Sequence, residues 1–162
     1  MLAIRIIVKD PDPVLREQAA QVTKFNSNLH KLLKDMADTM YDAEGVGLAA
    51  PQVGISKRVI VLDAGDDNGL IEMVNPEIVE RDGEQTGPEG CLSIPNLNGD
   101  VRRYQRIKVN GFDRNGKPFT MEATDYLARI FQHEIDHLNG VLFTDIAESI
   151  YDVSAKPRGR GE

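Results

Sequence analysis

The chain is poor in the features that mark secreted, membrane-bound or nucleic-acid-binding proteins. It carries one cysteine in 162 residues, so no internal disulfide can staple it, and a single unpaired thiol suits a reducing compartment. Long apolar runs are missing: no stretch approaches the ~20 residues needed to cross a bilayer. The start, Met1-Leu2-Ala3-Ile4-Arg5, lacks the basic segment and apolar run of a secretory signal. There is no surplus of positive charge either; the net charge is −7, which argues against general nucleic-acid binding because that needs a basic face. Internal repeats and interdomain linkers are absent. What is present, 41% hydrophobic and 28% charged residues, is ordinary for a globular protein large enough to bury a core. We expect one cytoplasmic domain over 1–150, with no membrane or DNA partner. Residues 151–162, with Lys156, Arg158 and Arg160, are expected to be a short mobile tail.

The chemistry shows near the C-terminus, in Gln132-His133-Glu134-Ile135-Asp136-His137-Leu138-Asn139-Gly140. Two histidines four apart stack on one face of a helix, so both rings can reach one metal ion. Glu134 is offset by about 100° from His133, which puts it beside the metal rather than on it. From there its carboxylate can take a proton from a metal-bound water. The helix is predicted to start at Thr124 or Asp125, either of which can cap its free N–H groups, and to stop at Gly140. Leu127, Ala128, Ile130, Phe131, Ile135 and Leu138 spread around most of its circumference, the pattern of a helix buried on nearly all sides. Polar groups on such a helix need partners, and a metal supplies one.

Zinc-type peptidases with H-E-x-x-H need a third protein ligand. The metzincin pattern would put a histidine at position 143, where the chain has Phe143. A glutamate on a second downstream helix has little room, because only 25 residues follow His137 and they end in Gly- and Pro-rich sequence. The remaining candidate is Cys91, in Glu89-Gly90-Cys91-Leu92-Ser93. A lone cysteine is most often a small buried hydrophobe, but Gly90 before it allows close backbone approach. A third block, Gly45-Val46-Gly47-Leu48-Ala49-Ala50-Pro51-Gln52, matches the dinucleotide fingerprint by letters. That fingerprint needs a strand before it and a helix opening after it; here a helix precedes and Pro51 obstructs one.

Taken together, the Gly45, Glu89 and Gln132 blocks resemble the peptide deformylases, in the right order and spacing, over about Val8 to Asp145. That family removes the formyl group from the N-terminal methionine of new bacterial and organellar proteins. The resemblance implies Cys91, His133 and His137 as metal ligands with water as the fourth, Glu134 as acid/base, and Gln52 and the Leu92 N–H as oxyanion donors. The metal-bound water would then attack the formyl carbonyl. The implied ion is Fe²⁺, although such a set also accepts Zn²⁺, Ni²⁺ or Co²⁺ on ligand grounds. The implied partner is the formyl-methionyl N-terminus of a nascent chain. Many relatives carry a longer C-terminal helix, which leaves any transient ribosome contact open here. A peptidase is the chemically nearest alternative, separated by assaying formylated against unblocked peptides. A structural metal site would need four protein ligands, and three are evident.

For substrate, the resemblance implies Val46 and Gly47 at a flat edge along which a peptide lies as an added strand, with Glu89 and Gly90 also expected to bind substrate. Positions three, four and seven before His133 share its helix face. We therefore expect Ile130 to meet the methionine side chain first, with the aliphatic stem of Arg129 at the rim and Tyr126 further along the same face. The fold is expected to be α+β, with antiparallel sheets packed around the buried catalytic helix. Leu29, Leu32, Leu33, Met36 and Met40 predict an amphipathic N-terminal helix over about Ser27–Asp42. His30 falls off that stripe and reads as a solvated surface residue. Asp12-Pro13 predicts a capped short turn. Strands are predicted at 58–62, at 71–79 with an edge or bulge at Pro76, and as a hairpin around Asn115-Gly116.

Overall fold

The computed structural model describes residues 3–153. A capped turn at Pro13–Arg16, with the Asp12 side chain accepting from Val14 N–H, leads to α1 (Ser27–Asp42), whose N-terminus is capped by the Asn26 side chain accepting from Leu29 N–H. There follow β1 (Gly47–Ala49), a short 3₁₀ turn at Ala50–Val53, β2 (Val59–Leu62), β3 (Ile71–Asp82), β4 (Gln85–Cys91), β5 (Ile94–Arg103), β6 (Arg106–Phe112) and β7 (Pro118–Thr124). Then come α2 (Asp125–Leu138), α3 (Phe143–Ile146) and β8 (Ser149–Asp152). Among the described residues the strands form two antiparallel sheets, ordered β1-β2-β3-β6-β7 and β4-β5-β8. No helix there is long and apolar enough to cross a membrane.

β2 shows why the fold places α2 where it does. Its four residues are all buried, because successive side chains point to opposite faces and both faces are covered. Val59 and Val61 join Leu29, Leu32, Leu33, Met36 and Met40 of α1. Ile60 and Leu62 join Leu127, Ala128, Phe131, Ile135 and Leu138 of α2. The five-stranded sheet is therefore packed between the two helices. Each large apolar side chain buried there contributes roughly 1.5–3 kcal/mol, and truncating fully buried Phe131 to alanine would cost about 3–5 kcal/mol. A third cluster, with Leu15, Ile94, Val101, Leu142 and Phe143, ties β5 to α3.

Pro76 sits at a bulge: the β3–β6 register shifts between Val74 and Glu77, and pairing of β3 with β2 has ended at Val74. Asn75 adopts φ 51°, tolerable for Asn, and its amide clamps both backbone groups of Val22. The β6–β7 hairpin forms as expected, with Asp113 Oδ1 accepting from Asn115 and Lys117 N–H.

Three expectations change. Thr124 precedes α2 without a side-chain cap. Asp125 has φ 55° and takes a hydrogen bond from the Gln105 amide, so the helix start is held by the turn between β5 and β6 rather than by its own cap. His30 is half-buried, with Nε2 2.8 Å from the Arg114 carbonyl. Tyr151 and Asp152, assigned to the tail, pair with Asn98 and Leu97 of β5; 154–162 lie outside the described residues.

Candidate active site

The site forms where β4, the turn after it and α2 meet the edge strand β1. Cys91 ends β4 and is half-buried. His133 and His137, one turn apart on α2, are both buried. One ligand atom from each of these three residues lies within 4.8 Å of the others, with Cys91 Sγ 3.3 Å from His137 Nε2. Cys91 and His133 are 42 positions apart. Between them β5 returns along β4 and the β6–β7 hairpin follows, so only the fold brings them together.

The two carboxylates beside His133 are held differently. Glu89 of β4 is buried and fully hydrogen-bonded. Its Oε1 accepts from Arg103 Nη2 (2.8 Å) and faces His133 Nδ1 (2.9 Å). Its Oε2 accepts from Arg103 Nε (2.9 Å) and Arg129 Nη1 (2.7 Å). Burial opposes its ionisation, but the hydrogen bonds from Arg103 and His133 outweigh burial and hold its carboxyl at about 2. With Nδ1–H directed at Glu89, His133 turns Nε2 towards Cys91 and His137, the orientation a metal-binding imidazole requires. Burial also favours neutral His133, yet the neighbouring Cys91 and Glu89 raise its pKa. Burial, reinforced by the charge on His133, keeps His137 neutral.

Glu134 has no such support. Its Oε1 is buried without a hydrogen-bond partner, and burial pushes its pKa up to about 7. It packs against β1 so closely that a Cβ on Gly47 would lie 2.5 Å from Glu134 Oε2, which explains glycine there. Gln52 is oriented by its own backbone: Oε1 accepts from Ala49 N–H at 3.0 Å, so the NH₂ donates to Ser93 Oγ (3.1 Å) and faces Cys91 Sγ (3.5 Å). Leu92 lies in the turn between β4 and β5. One thiol and two imidazoles converging beside an unpartnered carboxylate oxygen fit a borderline-soft divalent cation.

A cavity of about 360 Å³ opens onto this cluster. Val46, Gly47, Gln52, Glu89, Gly90, Cys91, Leu92, Tyr126, Arg129, Ile130, His133 and Glu134 all line it, joined by Glu44, Gly45 and Pro88. His137 closes the cluster from behind, 1% exposed. The substrate expectations need correction at two of these residues. All of Glu89's acceptor positions are taken, so its carboxylate has nothing to offer substrate. Arg129 is not a rim residue with its head in water: it is 6% exposed, and its guanidinium reaches Glu89 and the carbonyls of Gly87 and Val101. Tyr126, 51% exposed, is at the rim. Ile130 is buried, both lining the cavity and packed in the main core.

Sequence reasoning missed Arg103, Ser93 and Asp136. Arg103 is 6% exposed and links Glu89 to Asp136 (2.6 Å). No spacing pattern identifies it, since its role depends on how β5 pairs with β4. Ser93 and Asp136 stand inside the Glu89 and Gln132 blocks, within two residues of assigned positions.

A family profile described as polypeptide deformylase matches residues 4–152. The chain belongs to the peptide deformylase family. It is 55% identical to peptide deformylase 1 of Bacillus subtilis over 150 residues, 93% of this chain and 94% of that one. Solved peptide deformylase structures from Legionella pneumophila and Thermotoga maritima each superpose with a TM-score of 0.87, at 50% and 48% identity. They match 90% of this chain and 87% and 99% of theirs. The protein is accordingly a metal-dependent hydrolase that removes the formyl group from the N-termini of nascent chains, and the antiparallel α+β architecture is the family's.

Proposed function

We propose that Cys91, His133 and His137 hold the catalytic ion, physiologically Fe²⁺ with Zn²⁺, Ni²⁺ or Co²⁺ able to replace it, and that Glu134 handles the proton. The observation that carries this reading is the buried, unpartnered Glu134 Oε1 beside three converging ligand atoms. When bound, the cation lowers the pKa of a water at its open position and polarises the formyl carbonyl.

The chain's own residues supply the rest. Burial raises the pKa of Glu134 to about 7 in the metal-free protein, and its unpartnered oxygen is free to accept and return a proton. It takes the proton from the attacking water and delivers it to the departing amine nitrogen, leaving formate and a free N-terminus. The Gln52 amide and the Leu92 N–H donate to the oxyanion of the tetrahedral intermediate, each worth roughly 3–4 kcal/mol. Pre-orientation of Gln52 by Ala49 supports that role, because a donor already aimed needs no rearrangement during reaction.

The formyl-methionyl chain lies along β1, an edge strand, with backbone contacts at Val46 and Gly47 and with Gly90 on the facing wall. Its side chain enters beside Ile130, with Tyr126 at the mouth. We place the activity in the cytoplasm, where nascent formylated chains arise; contact with the ribosome would be transient.

The test is metal analysis of anaerobically purified protein, with Cys91→Ser prepared in parallel. We expect one divalent ion per wild-type chain, predominantly iron, and loss of most metal in the variant. Full metal content in Cys91→Ser would remove the site as drawn.

A further inference from the structure

Arg129 carries a charge into the interior, and burying a guanidinium is costly unless it is fully paired. A single nitrogen, Nη1, meets three acceptors: Glu89 Oε2 at 2.7 Å, the Val101 carbonyl at 3.0 Å and the Gly87 carbonyl at 3.3 Å. Gly87 and Val101 are paired residues of β4 and β5, so the guanidinium staples that strand pair to α2. The arrangement turns the charged end of Arg129 away from a substrate in the cavity and onto the residue that orients His133.

We propose that Arg129 is a positioning residue, holding Glu89 against His133 and thereby fixing the imidazole for metal binding. The inference rests on the reading that Cys91, His133 and His137 bind the metal. Arg103 has the same role, since it binds Glu89 through two nitrogens and is itself anchored by Asp136 of α2. The two arginines approach Glu89 from different elements, α2 and β5, so losing one leaves the other. The effect of removing Arg129 on metal affinity is therefore partial, and on this proposal it runs through Glu89 rather than through the Gly87 and Val101 carbonyls.

That last property separates positioning from both substrate contact and simple packing. The experiment is a double-mutant cycle on zinc affinity, measured by competition with a chelator, using Arg129→Met, Glu89→Gln and the double variant. Outer partners of metal-bound histidines typically contribute 10–100-fold in affinity. We expect Glu89→Gln to fall in that range, Arg129→Met to lose about tenfold, and the double variant to be no weaker than Glu89→Gln alone, because both losses run through one group.

Unchanged zinc affinity in Arg129→Met with a raised KM would make Arg129 a substrate contact and overturn the inference. Losses that multiply in the double variant would make it a packing residue and overturn it equally. Should Arg129→Met not fold, Arg129→Lys, which keeps the charge but not the fork of donors, goes through the same cycle against the same criteria. Cys91→Ser in the same assay separates the levels. If it loses zinc while Arg129→Met does not, only the inference fails; if it keeps zinc, the reading of the site fails and takes the inference with it.

Discussion

Glu89 and Glu134 are the same residue type, both buried, both beside His133, yet they are held about five pH units apart, at about 2 and about 7. Burial raises both. The difference is the count of donors: Glu89 receives hydrogen bonds from Arg103, Arg129 and His133, whereas Glu134 Oε1 receives none. Under the roles proposed above, the β4 side keeps a charge fixed and its carboxylate orients His133, while the α2 side leaves its carboxylate free to exchange a proton. On that reading one wall of the cavity is scaffold and the other is reagent, and the sequence writes both with the same letter.

The contrast predicts opposite pH dependences of stability in the metal-free protein. Glu89's folded pKa lies below its ordinary value of 4.5, so its stabilisation is complete above that value and is lost as pH falls towards 2. Glu134's lies above 4.5, so its protonated form is favoured by folding, and stability falls as pH rises from about 4.5 through 7. Each difference is on the order of 3 kcal/mol. Denaturation of wild type, Glu89→Gln and Glu134→Gln across pH 2–8 reads both. Glu134→Gln should be the more stable protein at pH 8, and Glu89→Gln the less stable one at pH 5. Parallel pH profiles would erase the distinction.

A smaller change acts on the reagent side and leaves Glu89 untouched. Gly47→Ala sets a methyl against Glu134 Oε2 and must move that carboxylate. Misplacing a reacting group by about 1 Å can cost 10²-fold, so kcat should fall by about that factor with metal content unchanged, whereas a change confined to KM would come from the peptide edge that Gly47 also forms. Retained activity would mean that the position of Glu134 is not critical. The smallest effect belongs to the cavity wall. Ile130→Phe should lower kcat/KM for formyl-Met peptides relative to formyl-Ala peptides by about tenfold, the scale on which apolar pockets discriminate. An unchanged ratio in a folded, metal-loaded variant would place the methionine pocket elsewhere.

Much of this was legible locally. The α1 stripe gave its limits, because one apolar face against a sheet requires that spacing. The burial of α2, the bulge at Pro76 and the pairing of His133 with His137 are likewise short-range patterns. Convergence of Cys91 and Gln52 on those histidines came from resemblance, since no local rule joins positions 52, 91 and 133. What stayed hidden depends on which strand lies beside which. The direction of Arg129 follows from the β4–β5 register and the burial of Arg103 from packing of that pair on α2; α2 starts at Asp125 as expected, but the contact that holds its start comes from Gln105 rather than from a Thr124 cap. The last two residues of β8, Tyr151 and Asp152, were read as tail; all four residues of the strand are exposed, so no buried face marks it.

The division of labour between the two carboxylates is tested most directly by measuring zinc content and turnover together in Glu134→Gln and Glu89→Gln. The account predicts a crossed result. Glu134→Gln keeps its metal and loses at least ~10²–10⁴-fold in kcat/KM, the contribution of a general acid/base. Glu89→Gln loses metal affinity by roughly 10–100-fold and regains most of its turnover when zinc is supplied in excess. If Glu134→Gln lost metal and activity in step, or if saturating zinc failed to restore Glu89→Gln, the two glutamates would not hold the separate roles assigned to them.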